Sequence, residues 1–244
     1  MKVLVTGGNS GLGKYICNTI PNSINLNRSL IKSDLLYGKN EGVDLIIHCA
    51  FGFQGGYAQN EVEDYFKYVD DNILLTKELT EIPHKKIVYI SSTAVYDPDP
   101  INYKFVKKYS EAITSTLGNN PLILRCPSML GKFMKPNNLT RLLDDPNTQL
   151  SLSKDSDFNY VLHSDILSFI LECYDKGISE NIDFVSSTNL TFKQIQELLK
   201  TDIKFGKYTF NTPWLSNEKL VYYSPSYNKT SQEVFKQFLE QYKS

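Results

Sequence analysis

Residues 2–20 constrain the fold of this chain more than any other stretch. Lys2-Val3-Leu4-Val5-Thr6 is a short, β-branched apolar run of the kind a buried parallel strand requires. Gly7, Gly8, Gly11 and Gly13 follow at once, and the apolar-periodic stretch from Tyr15 to Ile20 reads as a helix. Glycines in that position let the backbone turn tightly and approach a pyrophosphate. The helix start adds unpaired N–H groups and the positive end of a dipole. Gly7, Ser10, Gly11, Leu12 and Gly13 are therefore candidate cofactor contacts, against the plainer reading of a glycine-rich turn with no ligand.

Strands and helices then alternate. Ser23 to Asn27 reads as a second strand with Arg28 just past its end. In dinucleotide folds an acidic residue at this place grips the ribose hydroxyls, whereas an Arg accepts a 2′-phosphate. Asn27 and Arg28 bring no carboxylate, so NADP(H) is favoured over NAD(H). Ile31 to Leu36 reads as an abbreviated third strand, with Asp34 and Leu35 near the adenine. Val43 to Ala50 is a further buried strand, and Phe51 to Gly56 a flexible loop at its ligand-facing edge. Asn60 to Ile82 reads as one long helix with Val62, Phe66, Val69, Ile73 and Leu79 on its apolar face. Lys86 to Ile90 is a strand that ends in Ser91, Ser92 and Thr93, and Pro121 to Arg125 is a sixth. The expected fold is α/β, a doubly wound parallel sheet whose C-terminal strand ends line the ligand crevice.

Beyond residue 127 the alternation weakens. Helices are expected at Asn138–Leu143, Ser164–Tyr174, Thr191–Lys200 (capped by Thr191) and Thr230–Tyr242, and strands at Leu150–Leu152 and Asn181–Val185. The expected organisation is a Rossmann-type domain over 1–127, with 159–185 returning to it. Residues 128–158 and 186–244 form a small substrate lobe.

Tyr103-x3-Lys107 lies at the start of a helical stretch without Gly or Pro, entered from Pro98 and Pro100. Four residues are about one turn, so phenol and ammonium project from one face. A phenol titrates near ~10, and lowering it by ~3 units takes about 4 kcal/mol. One cation ~5 Å away supplies roughly 3 kcal/mol at an effective dielectric of ~20. Lys107 with a second positive group, such as an oxidised nicotinamide ring, would bring the phenol into range for proton transfer at a carbonyl.

Lys plus Arg is 26 and Asp plus Glu is 27, so charge gives no reason to expect nucleic acid or an anionic membrane surface. Apolar runs are too short to span a bilayer, and the first strand starts at Lys2, so a cytoplasmic protein without a presequence is expected. Cys17, Cys49, Cys126 and Cys173 have neither disulfide nor metal spacing, and no metal site is expected.

These residues resemble the extended short-chain dehydrogenase/reductases of the nucleotide-sugar epimerase/dehydratase type. Ser91-Ser92-Thr93-Ala94-Val95-Tyr96-Asp97 resembles that family's S-S-x-x-V-Y-G. Tyr103-x3-Lys107-x3-Glu111 matches its Y-x-x-x-K-x-x-x-E. Asp44-x3-His48-x-Ala50 resembles D-x-x-x-H-x-A, and Asn72-x3-Thr76 its N-x-x-x-T. Leu124 to Gly131 is similar to L-R-x-P-x-x-Y-G, Asn159 to Ile166 to D-F-V-H-V-D-D-V, and Asn181 to Leu198 to a later segment. Three features depart from the pattern: Ser10 stands where the extended branch has a Gly, the span from Ser92 to Tyr103 is short, and so is the linker before Val43.

The resemblance implies that Ser92, Tyr103 and Lys107 are catalytic. Cofactor contacts would be the glycine turn, Asn27, Arg28, Asp34, Leu35, Cys49, Ala50, Phe51, Asn72, Tyr103, Lys107, Cys126, Pro127 and Ser128. Substrate contacts would be Phe53, Ser92, Thr93, Tyr103 and Ser128. The family's 4,6-dehydratases carry an Asp-Glu pair where Thr93 and Ala94 stand, and its fucose-type epimerase-reductases a Cys at the place of Ala94. Cys126 and His163, a conceivable alternative acid–base pair, read better as core or supporting residues. The implied activity is NADPH-dependent reduction of a nucleoside-diphosphate 4-keto sugar in deoxysugar or surface-glycan synthesis. A 4-epimerase with tightly bound NAD and a non-catalytic dinucleotide-binding sensor or scaffold are the alternatives. The family also implies a homodimer, paired through Asn60–Ile82 and the Tyr103 helix.

Overall fold

The structure, a computed structural model, describes residues 1–26, 42–52, 64–99, 101–145 and 147–242. Asn27, Arg28, Asp34, Leu35, Phe53 and the third strand expected over 31–36 lie outside the described residues.

The apolar run after Lys2 becomes β1 (Val3–Thr6), and the glycine turn leads into α1 (Gly11–Thr19). Next come β2 (Ile24–Leu26) and β3 (Val43–His48). A helical rod follows in three parts: α2 (Tyr65–Val69), a π-helical turn (Asp70–Leu74) and α3 (Leu75–Glu81). Then come β4 (His84–Ser92), a 3₁₀ turn (Thr93–Tyr96), α4 (Asn102–Leu117), β5 (Pro121–Cys126) and β6 (Ser128–Leu130). The rest of the chain adds α5 (Asn138–Asp144), β7 (Asp157–Phe158), β8 (Tyr160–Leu162), α6 (His163–Asp175), β9 (Asn181–Asp183) and β10 (Leu190–Thr191). It closes with α7 (Phe192–Leu199), α8 (Glu218–Tyr223) and α9 (Ser231–Tyr242).

The main sheet has the order β2-β1-β3-β4-β5-β9, and every pairing in it is parallel. Alternation along β1 divides its two faces. Val3 and Val5 pack with Ile16 of α1 and Ile166 and Ile170 of α6, while Leu4 packs with Leu75 and Leu79 of α3. Helices thus cover both faces, which is why the central strands read as unbroken apolar runs. β9 belongs to this sheet, on β5. A second core gathers Leu130, Leu139, Tyr160, Phe192, Ile195, Phe235 and Phe238, fed by the two-stranded ladders β6–β8 and β7–β10.

Two expectations need correction. The long helix is not uniform: the π turn inserts a residue and rotates the buried face, so Tyr68, Asn72, Leu75 and Leu79 face inward while Phe66 is 92% exposed. Leu150–Leu152 is not a strand; Gln149 and Leu152 make isolated bridges to Lys204 and Tyr208. Its two buried leucines serve the second core without a ladder.

Candidate active site

In a parallel sheet all C-terminal strand ends share one edge. Here that edge carries Thr6, His48, Ser92 and Cys126. Chain order reverses around β1, with β2 on one side and β3 on the other, so the crevice opens where the glycine turn meets Cys49 and Ala50.

The turn itself is tight. Gly7 has φ +74, and a Cβ there would lie 2.9 Å from the Ala50 nitrogen; one at Gly13 would lie 2.4 Å from the Gly7 carbonyl oxygen. Both positions admit glycine alone, which lets α1 start flush against the end of β1. Ser10 caps α1 without a side-chain hydrogen bond, and no acidic residue stands in the first turn. Leu12 is buried in the core, so it offers a ligand only its backbone. Residues 7–13 could hold a dinucleotide pyrophosphate at this helix start.

A buried chain of hydrogen bonds braces the crevice. The Ala50 N–H donates to Thr6 Oγ1 at 3.1 Å, and Thr6 Oγ1 meets His48 Nδ1 at 2.8 Å. His48 Nε2 lies 3.0 Å from Thr76 Oγ1, and the Thr76 hydroxyl donates to the Asn72 carbonyl at 2.6 Å. Because Thr76 spends its proton on Asn72, it accepts from Nε2–H, and Nδ1 accepts from Thr6. Burial, with the Lys107 charge adding, pushes His48 down to about 3, so the ring is a neutral strut rather than an acid or base. Asn72, in the π turn, clamps the backbone that follows β3. Its Oδ1 accepts from Gly52 N–H at 2.8 Å, and its Nδ2 donates to the Gly52 and Tyr68 carbonyls at 3.1 and 2.9 Å.

Helix α4 places Tyr103 and Lys107 together. The Lys107 ammonium lies 5.8 Å from the centre of the half-buried Tyr103 ring, 4.9 Å from Phe51 and 4.8 Å from Tyr89. It donates to the Ile90 carbonyl at 2.9 Å. Phe51 meets Tyr103 edge-on at 4.8 Å between ring centres. Burial pulls Lys107 down to about 8, while Cys49, Cys126 and Glu111 pull the other way. An ammonium near its own titration point, under aromatic rings and beside a phenol, can hold a positive charge close to a proton-transferring group.

Ser92 ends β4 and Thr93 opens the 3₁₀ turn, both buried, and Ser92 Oγ accepts from Ala94 N–H at 3.2 Å. Pro127 and Ser128 follow β5 at the same edge, Ser128 exposed at the start of β6. Burial drives the Cys126 thiol up to about 12 and His163 down to about 4, so near neutrality both are uncharged and form no ionic acid–base pair. Among the described residues no group of three or more His, Cys, Asp or Glu could hold a metal ion.

Glu111 and Arg125 stand in the motifs read from the sequence, which give neither a role. Glu111 receives Ser91 Oγ at 2.5 Å and both Nε and Nη2 of Arg125 at 3.0 and 2.7 Å. Arg125 also donates to the Tyr96 hydroxyl at 2.5 Å, and that hydroxyl donates to Asp183. This network ties α4, and with it Tyr103 and Lys107, to β4, β5 and β9. The signal was present, since Glu111 follows Lys107 by one turn, but its partner Arg125 could be found only from the fold.

The sequence matches no family model and no curated protein. Solved structures match it over their whole length. A dTDP-4-dehydrorhamnose reductase from Clostridium acetobutylicum superposes with a TM-score of 0.77 at 18% identity, covering 100% of each chain. RMD from Pseudomonas aeruginosa, solved with NADPH, gives 0.73 at 17%, again covering 100% of each. A UDP-glucuronic acid 4-epimerase from Bacillus cereus, solved with UDP-glucuronic acid and NAD, gives 0.74 at 15%, covering 100% of this chain and 99% of that one. The six-stranded parallel sheet, its helical layers and the small extra ladders therefore make up the fold that these solved structures share.

Proposed function

We propose that this protein is an NADPH-dependent reductase of a nucleoside-diphosphate 4-keto sugar, working in the cytoplasm in deoxysugar or surface-glycan synthesis. The observation that carries the reading is the placement of a buried Lys107 ammonium beside the Tyr103 ring, at the sheet edge that also holds the glycine cradle. Residues 1–127 and 159–185 take the dinucleotide; 128–158 and 186–244 take the sugar nucleotide. The cradle and Lys107 hold the cofactor, with Arg28 reading the 2′-phosphate and Asn27, Asp34 and Leu35 around the adenosine. When bound, the cofactor supplies hydride to the carbonyl carbon.

The chain's own residues do the rest. Tyr103 gives its phenolic proton to the carbonyl oxygen, and the Lys107 charge stabilises the phenolate left behind. Ser92 orients the carbonyl, and Thr93, Ser128 and Phe53 border the sugar. Cys49, Ala50, Phe51, Asn72, Cys126 and Pro127 shape the cofactor's flank. The test is a panel of nucleoside-diphosphate 4-keto sugars with NADPH: turnover by the wild type and a loss of about 10²-fold or more in Tyr103→Phe are expected. A Tyr103→Phe protein as fast as wild type would end the assignment. The epimerase reading has support from the Bacillus cereus likeness, and purified protein carrying one equivalent of NAD would favour it.

We infer a homodimer as well. Phe66, Leu74, Phe105 and Tyr109 lie exposed on the π-interrupted helical rod and on α4. A Phe66→Asp variant should run as a monomer in sedimentation, with the wild type as a dimer.

A further inference from the structure

The segment 131–134 crosses the mouth of the glycine turn. Its own turn is closed by Met134 N–H on the Gly131 carbonyl at 3.1 Å. From this turn the Phe133 carbonyl accepts a 2.6 Å hydrogen bond from the Gly11 N–H, and the Phe133 ring lies 4.9 Å from the Lys14 ammonium. Gly11 opens α1, so its N–H is one of the helix's unpartnered donors and one that a pyrophosphate would meet. A single N–H pointing at a carbonyl at 2.6 Å cannot also serve a phosphate oxygen in line.

The other side of the segment rests on His163. Gly131 has no side chain, and a Cβ there would lie 2.2 Å from His163 Nδ1. That nitrogen is buried and makes no hydrogen bond among the described residues. A buried unsatisfied nitrogen is a cost of this arrangement, which a shift of the segment can relieve by bringing a donor to it. On the side facing the glycine turn the segment is held by one backbone bond and one ring under one ammonium; behind it lie the unsatisfied imidazole and the second core, against which Met134 packs.

We propose that residues 131–134 form a strap that competes with the dinucleotide for the Gly11 N–H, so that cofactor entry and strap release are one event. This rests on reading the turn as a dinucleotide site. The strap sets a threshold on cofactor binding: the Phe133 carbonyl takes the place of one phosphate oxygen, and Lys14 holds it there through the ring.

The experiment pairs NADPH titration with amide hydrogen exchange on the full chain. Phe133→Ala removes the ring and loosens the carbonyl, so it should bind NADPH roughly two- to fivefold more tightly, the worth of one exposed cation–π contact. Without nucleotide, the Gly11 amide should exchange slowly in the wild type and faster in Phe133→Ala. In the wild type, NADPH should speed exchange at Met134, whose bond closes the strap turn; this readout needs no variant. Equal or weaker NADPH binding by a folded Phe133→Ala, a fast Gly11 amide in the wild type, or a Met134 amide indifferent to NADPH each overturns the strap. Failure of both proteins to bind NADPH or NADH overturns the cofactor reading and the strap with it.

Discussion

The main sheet and the second core hold their shape with a different balance of means. Around the sheet, polar side chains are buried and wired to one another: Thr6 to His48 to Thr76, Glu111 to Arg125 and Ser91, Lys107 to the Ile90 carbonyl. The second core is an apolar cluster; the buried Asn159, Ser186 and Ser231 beside it bond mostly to backbone, and further polar groups work at helix ends. Asn137 with Thr140, Thr191 with Gln194 and Thr230 with Glu233 form reciprocal caps. The comparison separates two tasks. Buried polar networks fix a few atoms in place at some cost in desolvation, which suits a site. Capped helices on an apolar core set a shape that tolerates change.

The largest expected effect breaks the sheet network. Glu111→Gln leaves the Arg125 guanidinium only the more distant Asp183 carboxylate at 3.8 Å and should cost about 3 kcal/mol in urea unfolding. A loss no greater than that of a helix cap would remove the contrast between the regions.

The second measurement uses pH. Lys107 titrates at about 8 when folded and 10.5 in its ordinary state. The unfolded chain therefore holds the extra proton between those values, and raising pH through that window favours the folded state. The wild type should gain up to about 3 kcal/mol from pH 8 to 10.5 relative to Lys107→Met. Parallel stability curves for the two proteins would mean that the ammonium is not desolvated.

The smallest effect belongs to the second core. Thr191→Ala removes one cap and should cost about 1 kcal/mol, with turnover by Tyr103 unchanged. A change in turnover would couple the two regions.

The same contrast decided what could be read from the sequence. The strands of the main sheet are apolar runs bounded by turns, so β1, β3, β4 and β5 stood out, as did the pairing of Tyr103 with Lys107 through helical spacing. The ladders β6–β8 and β7–β10 contain two or three residues each and join positions about thirty apart, as in Leu190 with Phe158, so no local pattern marks them. Leu150–Leu152 imitates a strand because its apolar alternation serves the core, while its backbone meets residues 204–208 only through isolated bridges. The Gly11–Phe133 contact is made by a backbone carbonyl, which no residue type announces. The π turn has no composition signal either, and it put Phe66 on the wrong face.

That turn has a consequence for the numbering of the protein. Deleting any one residue of Asp70–Leu74 would leave the composition of the rod almost untouched, yet would restore ordinary helical winding. Everything upstream would then swing by about 100° against Thr76 and the residues after it. Such a shortening would detach the amide from Gly52, unseat the brace that ends on the Asn72 carbonyl, and carry Phe66 from solvent toward the interior. Length, in this one place, is as much a part of the design as chemistry.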